Sequence, residues 1–185
     1  MTTTIVETLL PRSRTNLLGK SLLVLAGVVL IAVSAKVQVP FWPVPMTLQT
    51  LTVLLIGATC GARLGGSTLL AYLAAGAAGI PVFATGVGLS YMEGPTGGYL
   101  AGFLLAAIAV GWLAERGHGR TVLSALAVFA VGEVIIFSLG IGWLATLIGS
   151  SKAIAGGLLP FIPAEILKVA LASAFLTLAW KQTKA

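Results

Sequence analysis

Residues 17–35 have the sequence LLGKSLLVLAGVVLIAVSA, in which Lys20 is the only charged residue. At a rise of about 1.5 Å per residue, roughly 20 apolar residues in a helix cross the ~30 Å hydrocarbon core of a bilayer. A secretory signal peptide has a shorter apolar core and a small-residue cleavage site. This stretch instead continues to Lys36 and a proline-rich loop. We therefore predict an uncleaved transmembrane helix here and an all-α integral membrane protein.

The composition of the whole chain favours the same class. Of the 185 residues, 58% are hydrophobic and 9% are charged, whereas a soluble domain carries about 25% charged residues. The long runs of Leu, Ala, Val and Gly favour helices over the alternating pattern of a membrane β-barrel. The formal net charge of +6 comes from single Lys and Arg residues at the ends of apolar runs. They form no basic patch, so we expect the lipid bilayer, and no nucleic acid, as a partner.

The apolar runs define the domain organisation. We predict six membrane-spanning helices, at residues 17–35, 46–62, 64–79, 97–114, 121–143 and 160–180. They form one transmembrane domain, 17–180, between a cytoplasmic N-terminal segment, 1–16, and a cytoplasmic tail, 181–185. Arg63 alone separates the second run from the third, which indicates a tight connection between them.

The basic residues at the ends of these runs predict the orientation. One side of the membrane receives Arg12, Arg14, Lys20, Arg63, Arg116, Arg120, Lys181 and Lys184. The other side receives only Lys36 and Lys152. Because cytoplasmic loops carry the excess of Lys and Arg, we expect both termini to be cytoplasmic.

Two external connections have unusual sequences. Pro40, Pro43 and Pro45 lie close together and predict an extended, proline-rich loop. Residues 80–96 are rich in glycine and proline, and Glu93 is their only charge. An apolar loop of this length is expected to fold back onto the bundle, where its backbone groups find partners. We interpret this glycine-rich segment as a lid.

Glu165 and Lys168 are the strongest candidates for a functional site. A spacing of three residues places both side chains on one helix face. Pro163 suits the first turn of a helix, and a carboxylate in that turn is favoured by the helix dipole. Charges within a membrane span are costly and usually serve a ligand or an ion path. We predict that the pair lines an external pocket, the alternative being a purely structural ion pair.

Other polar residues add to this hypothesis or remain open. Gln49, Tyr91 and Tyr99 lie at the same membrane level and are predicted to contribute hydrogen bonds to a ligand. Glu133, central in the fifth span, suits a packing role or a proton or ligand role equally well. The residues Gly19-Lys20-Ser21 resemble the end of a P-loop, but position 14 is arginine and no strand precedes it.

These features predict a pocket for a small, largely apolar ligand with a few polar groups. We find no catalytic Ser/His/Asp or Cys/His set and no metal-ligand cluster, so we predict a binding protein without cofactors. Two alternatives remain. One is a small membrane enzyme that uses Glu165 as a general base on a lipid-like substrate, and the other is a structural assembly subunit.

Three motifs give a more specific prediction. PVPMTLQTL at 43–51, GIPVF at 79–83 and GPTGGYL at 94–100 resemble the BioY family, the biotin-specific S components of energy-coupling factor (ECF) transporters. The resemblance implies six helices, an external site and high-affinity biotin binding in the bacterial cytoplasmic (inner) membrane. It also implies partners that supply the energy for uptake, namely a transmembrane T component and two ATPases.

The resemblance also implies roles for individual residues. In the family, an acid and a lysine three residues apart in the last helix contact the ligand, and Glu165 and Lys168 match them, although the acid is often aspartate. Residues after the Pro-Val-Phe segment contact ligand too, which makes Thr85 a further candidate. S components commonly dock through two alanines four residues apart in the first helix. Here Ala26 is followed by Leu30, so this pair is absent.

Overall fold

The computed structural model describes residues 4–9 and 16–183. Arg12, Arg14 and Lys184, which contributed to the predicted orientation, lie outside these residues. The helices are α1 (Ile5–Leu9), α2 (Leu17–Lys36), α3 (Gln49–Ala77), α4 (Gly88–Glu93), α5 (Gly97–Glu115), α6 (Val122–Ile148), α7 (Ser150–Gly157) and α8 (Ile162–Gln182). Five of them, namely α2, α3, α5, α6 and α8, are long and apolar enough to cross a membrane. The short helices α1, α4 and α7 were not predicted.

Local sequence signals explain where the long helices begin. The side chain of Asn16 accepts a hydrogen bond from the backbone N–H of Leu18 and caps α2. The hydroxyl of Thr121 caps α6 in the same way through the N–H of Ser124. Pro163 lies in the first turn of α8, as predicted. The observed boundaries therefore follow the capping residues and differ from the apolar runs by only a few positions.

Helix α3 folds back on itself at Gly61, whose backbone angles (φ 84°, ψ 174°) are not helical. The Nε2 atom of Gln49 lies 2.8 Å from the hydroxyl oxygen of Tyr72, whereas 23 residues of straight helix would separate them by about 35 Å. Residues 49–60 and 62–77 are therefore two antiparallel arms. The connection was predicted at Arg63 but lies at Gly61, because a positive φ favours glycine.

Glycines bring the central helices close together. A Cβ atom on Gly57 would lie 2.7 Å from the carbonyl oxygen of Ala107 on α5. A Cβ on Gly102 of α5 would lie 2.8 Å from the Cα atom of Ile136 on α6. Such close approaches are typical of small residues at helix interfaces in membranes, and they place α5 between α3 and α6.

The two external connections both pack onto the bundle. The proline-rich loop is enclosed by two short antiparallel strands, β1 (Gln38–Val39) and β2 (Met46–Thr47). In the segment 80–96, Val82, Phe83 and Ala84 are buried, so this apolar loop folds back as predicted. Two bonds tie the segment to its surroundings. Lys36 donates to the carbonyl of Phe83, and the indole N–H of Trp143 donates to the carbonyl of Gly94 over 2.9 Å.

Candidate functional site

A cavity lies at one end of the bundle, below the segment 80–96. Both arms of α3 and the helices α5, α6 and α8 contribute to its wall. Its wall includes Gln49, Thr50, Tyr72, Tyr91, Tyr99, Phe137, Phe161 and Glu165. The volume of the cavity is about 40 Å³. A bicyclic ligand therefore requires wall side chains or the covering segment to move.

Glu165 and Lys168 form a hydrogen-bonded cluster in this wall together with the start of α3. Lys168 Nζ lies 2.7 Å from Glu165 Oε1, and both side chains are less than a tenth exposed. Lys168 Nζ also donates to the carbonyl of Thr47 (2.6 Å) and to Thr50 Oγ1 (3.1 Å). The Thr50 hydroxyl in turn donates to Glu165 Oε2 over 2.8 Å. The i, i+3 spacing on α8 thus produces the predicted contact, and α3 supplies its remaining partners.

A second polar network crosses the cavity at the other arm of α3. Gln49 Nε2 donates to the Tyr72 hydroxyl, which donates to the carbonyl of Val82 over 3.2 Å. The amide oxygen of Gln49 accepts from the Thr47 hydroxyl over 3.2 Å. This chain of bonds connects both arms of α3 to the segment 80–96, because Val82 belongs to that segment.

Aromatic rings form the apolar part of the wall. The rings of Tyr99 and Phe161 each pack edge-on against Phe137, with centroid distances of 5.8 Å. On the side of the segment 80–96, Phe83 stacks on Tyr91 at 5.0 Å and meets Tyr72 edge-on at 5.5 Å. Such rings suit a flat, largely apolar ligand.

The predicted site residues have different positions in this arrangement. Glu165, Gln49, Tyr91 and Tyr99 line the cavity. Lys168 is buried beside Glu165 and holds its carboxylate, and the hydroxyl of Tyr99 donates to the carbonyl of Gly157 over 2.8 Å. Thr85 is exposed and does not line the cavity, whereas its neighbour Ala84 does. Their roles toward a ligand stay predictions.

Several cavity residues were not predicted. Thr47 ends β2 and Thr50 lies in the first turn of α3, so both hydroxyls are close in sequence to the predicted residue Gln49, and this run of polar side chains was a usable signal. Tyr72 gave no such signal, because its partner Gln49 becomes a neighbour only through the turn at Gly61. Within residues 4–9 and 16–183, no three His, Cys, Asp or Glu side chains are grouped so that they could hold a metal ion.

Comparison with known proteins gives several close relatives. The chain is 40% identical over 151 residues to the "Probable biotin transporter BioY" of Pyrococcus horikoshii, covering 81% of this chain and 89% of the relative. It is 37% identical over 155 residues to the "Biotin transporter BioY" of Thermotoga maritima, covering 82% and 90%. It is 35% identical over 158 residues to the protein of the same name from Rhizobium etli, covering 80% and 84%.

A solved structure and a family model agree with these relatives. The fold is similar to a crystal structure of "the S-component for biotin from an ECF-type ABC transporter", with a TM-score of 0.78 at 22% identity. The match covers 89% of this chain and 92% of that one, and it shows a shared fold. The model of the BioY family matches residues 7–185, which is nearly the whole sequence. The chain therefore belongs to the BioY family.

Proposed function

We propose that this protein is the S component of an ECF-type transporter, and that it binds biotin on the outer side of the cytoplasmic membrane for uptake. The observation that carries the proposal is the buried cluster of Glu165, Lys168 and Thr50 in the wall of an aromatic cavity. Relatives that are named biotin transporters support biotin as the ligand.

The chemistry of biotin matches this wall. Biotin offers two ureido N–H donors, a ureido carbonyl, an apolar bicycle and a carboxylate. Glu165 accepts a hydrogen bond from a ureido N–H, while Lys168 donates either to the carboxylate or to the ureido carbonyl. Tyr99, Phe137 and Phe161 cover the bicycle, and Gln49 and Tyr91, which also line the cavity, are further candidates for contact.

The distribution of charge supports an external cavity. Among the described residues, five basic side chains lie at the end of the bundle that is away from the cavity. They are Arg63, beside the turn of α3, and Lys20, Arg116, Arg120 and Lys181, near the ends of the other long helices. Lys36 and Lys152 lie toward the cavity end. By the positive-inside rule, both termini are cytoplasmic. In this orientation the two arms of α3 are the second and third spans, and the bundle has the six spans predicted from the sequence.

The remaining parts of the proposal are partners and a lid. A T component and two ATPases supply energy, as the ECF type of the structural relative suggests. Helix α2 has much exposed apolar surface, including Leu22, Leu25 and Val29, which is available to lipid or to the T component. The segment 80–96 acts as the lid, because a narrow cavity admits biotin only when its cover opens.

Isothermal titration of the detergent-purified protein with biotin tests the proposal. Saturable, tight binding is expected, and lipoate, which has the same pentanoate chain but no ureido ring, should compete poorly. The bound ligand should be recovered chemically unchanged by mass spectrometry. Absence of biotin binding by folded, monodisperse protein would overturn the proposal, and a modified ligand would favour the membrane enzyme instead.

A further inference from the structure

Glu133 on α6 has no place in the cluster described above, although it lies next to it. Both of its carboxyl oxygens are buried, and neither has a hydrogen-bond partner among the residues that the structure describes. Phe129 and Phe137, four residues before and after it, are buried, so Glu133 is on the inward face of α6. Phe137 lines the cavity, which places Glu133 about one helical turn below the cavity wall.

Among the described residues, the charged groups near Glu133 are Glu165 and Lys168 of the neighbouring helix α8. Lys168 has three N–H donors, and the Thr47 carbonyl, Thr50 and Glu165 occupy all of them. The Thr50 hydroxyl is also committed, because it donates to Glu165. Neither Lys168 nor Thr50 therefore has a donor left for Glu133.

The balance of charge also favours a proton on one of the two carboxyl groups. Two ionised carboxylates beside one ammonium group would leave a net negative charge within a membrane span, where charge is costly. A single proton on one carboxyl makes the group of three neutral. Glu165 has acceptor capacity beyond its two present bonds, so a protonated Glu133 can donate to it.

We propose that Glu133 carries a proton at neutral pH and donates a hydrogen bond to Glu165, and that this bond positions Glu165 and Lys168 for the ligand. Glu133 is thus a positioning residue beneath the site and does not itself touch the ligand. This inference rests on the proposed biotin site, but the state of the proton can be examined without any ligand.

Infrared spectroscopy of the ligand-free protein tests the proton directly. The wild type at neutral pH should show the carbonyl stretching band of a protonated carboxylic acid. The band should disappear in Glu133→Gln and persist in Glu93→Gln, which alters an exposed glutamate. A wild type without the band, or a band that survives in Glu133→Gln, would overturn the proposal whether or not biotin binds.

Biotin titration then tests the positioning role. Glu133→Gln should bind like the wild type, because the amide N–H replaces the acid O–H as donor to Glu165. Glu133→Leu should bind about 10- to 100-fold more weakly, as expected for the loss of a hydrogen bond to a charged acceptor. Ser138→Leu, on the exposed side of the same helix, is the matched control and should bind normally.

The outcomes separate the two proposals. Wild-type affinity in Glu133→Leu, or a loss in Glu133→Gln as large as in Glu133→Leu, would overturn the positioning role. The wild type can show the infrared band, and Glu133→Gln can lose it, while neither the wild type nor any variant binds biotin. That result would establish the proton on Glu133 and overturn biotin as the ligand. Thermal unfolding of each variant confirms that the proteins compared are folded.

Discussion

Every N–H donor of Lys168 is in use within the cluster, whereas Glu165 has one partner on each oxygen and can accept further bonds. A ligand that accepts a hydrogen bond from Lys168 must therefore replace a partner that is already present. Binding at Lys168 is an exchange of hydrogen bonds, so its free energy is a difference between two well-formed arrangements. At the scale of the residue, the proposed site predicts that a ligand is selected by groups that match both the acid and the cation, because a partial match leaves a buried group without a partner.

Replacing Lys168 by methionine should weaken biotin binding strongly. Loss of one member of a buried ion pair typically costs about 3–5 kcal/mol, which corresponds to roughly 10²- to 10³-fold or more in affinity. Isothermal titration on monodisperse protein measures the effect. Lys152→Met makes the same chemical change at an exposed position on α7 and should bind normally. Wild-type affinity in Lys168→Met would show that the pair is structural.

Replacing Thr50 by valine should produce a smaller loss. The variant keeps the shape of the side chain but removes the hydroxyl that bridges Lys168 and Glu165. Leaving a buried group partly unsatisfied costs about 1–3 kcal/mol, or roughly 5- to 100-fold in affinity. Thr52→Val removes the hydroxyl of Thr52, which bonds only within its own helix, and serves as the control in the same titration. Equal affinities in the two variants would contradict the bridging role.

At the scale of the element, α3 determines the site because its turn joins parts that are distant in sequence. The turn at Gly61 aligns Gln49 with Tyr72, and the close contact of Gly57 with α5 keeps the first arm in place. The N–H of Ala62 donates to Glu115 Oε1 over 2.9 Å, which connects the turn to the end of α5. The two arms thus act as one structural unit that presents Thr50 to α8.

Gly61→Ala should destabilise the protein. A residue with a Cβ atom in the extended, positive-φ conformation of Gly61 is strained by about 1–3 kcal/mol, and the added atom would lie 2.4 Å from Glu115 Oε1. We expect a lower unfolding temperature in detergent, measured by scanning fluorimetry. Gly142→Ala is the control, because a Cβ there meets nothing within 4 Å and alanine favours the helix. Identical unfolding temperatures for Gly61→Ala and the wild type would contradict the assigned turn.

The backbone amides of the segment 80–96 should exchange their hydrogens more slowly when biotin is bound. Its backbone is packed on the cavity through Val82 and Phe83, so a bound ligand should hold it closed. Hydrogen exchange with mass spectrometry, with and without saturating biotin, measures the change. The loop 116–120, at the opposite end of the bundle, provides an internal reference that should not respond. Unchanged exchange throughout 80–96 would count against the lid.

At the scale of the whole molecule, the sequence predicted well those features that depend on near neighbours. The apolar runs predicted the long helices, and the spacing of Glu165 and Lys168 predicted their contact. The position of the turn was missed because several glycines near Arg63 are equally suitable by sequence. The hydrogen bond of Thr50 with Glu165 of α8 depends on how the helices pack, and no local pattern encodes that packing.

The orientation in the membrane can be tested by cysteine labelling in a Cys60-free background. In sealed cells, an impermeant maleimide should label Lys152→Cys but not His118→Cys, although both positions are exposed. The reason is the excess of Lys and Arg at the end of the bundle that carries His118. Permeabilised cells, in which both variants should react, provide the control. Ready labelling at position 118 in sealed cells would contradict the proposed topology.

The two ties on the segment 80–96, from Lys36 to Phe83 and from Trp143 to Gly94, have a consequence for kinetics. If the segment 80–96 is the lid, biotin must pass it on entry and on exit, because the cavity beneath it is narrow. Ties that are equally strong with and without ligand slow arrival and departure by the same factor and leave the equilibrium constant unchanged. We therefore predict that the residence time of the vitamin depends on Trp143 and Lys36, at the edge of the site, while its affinity depends on Glu165 and Lys168.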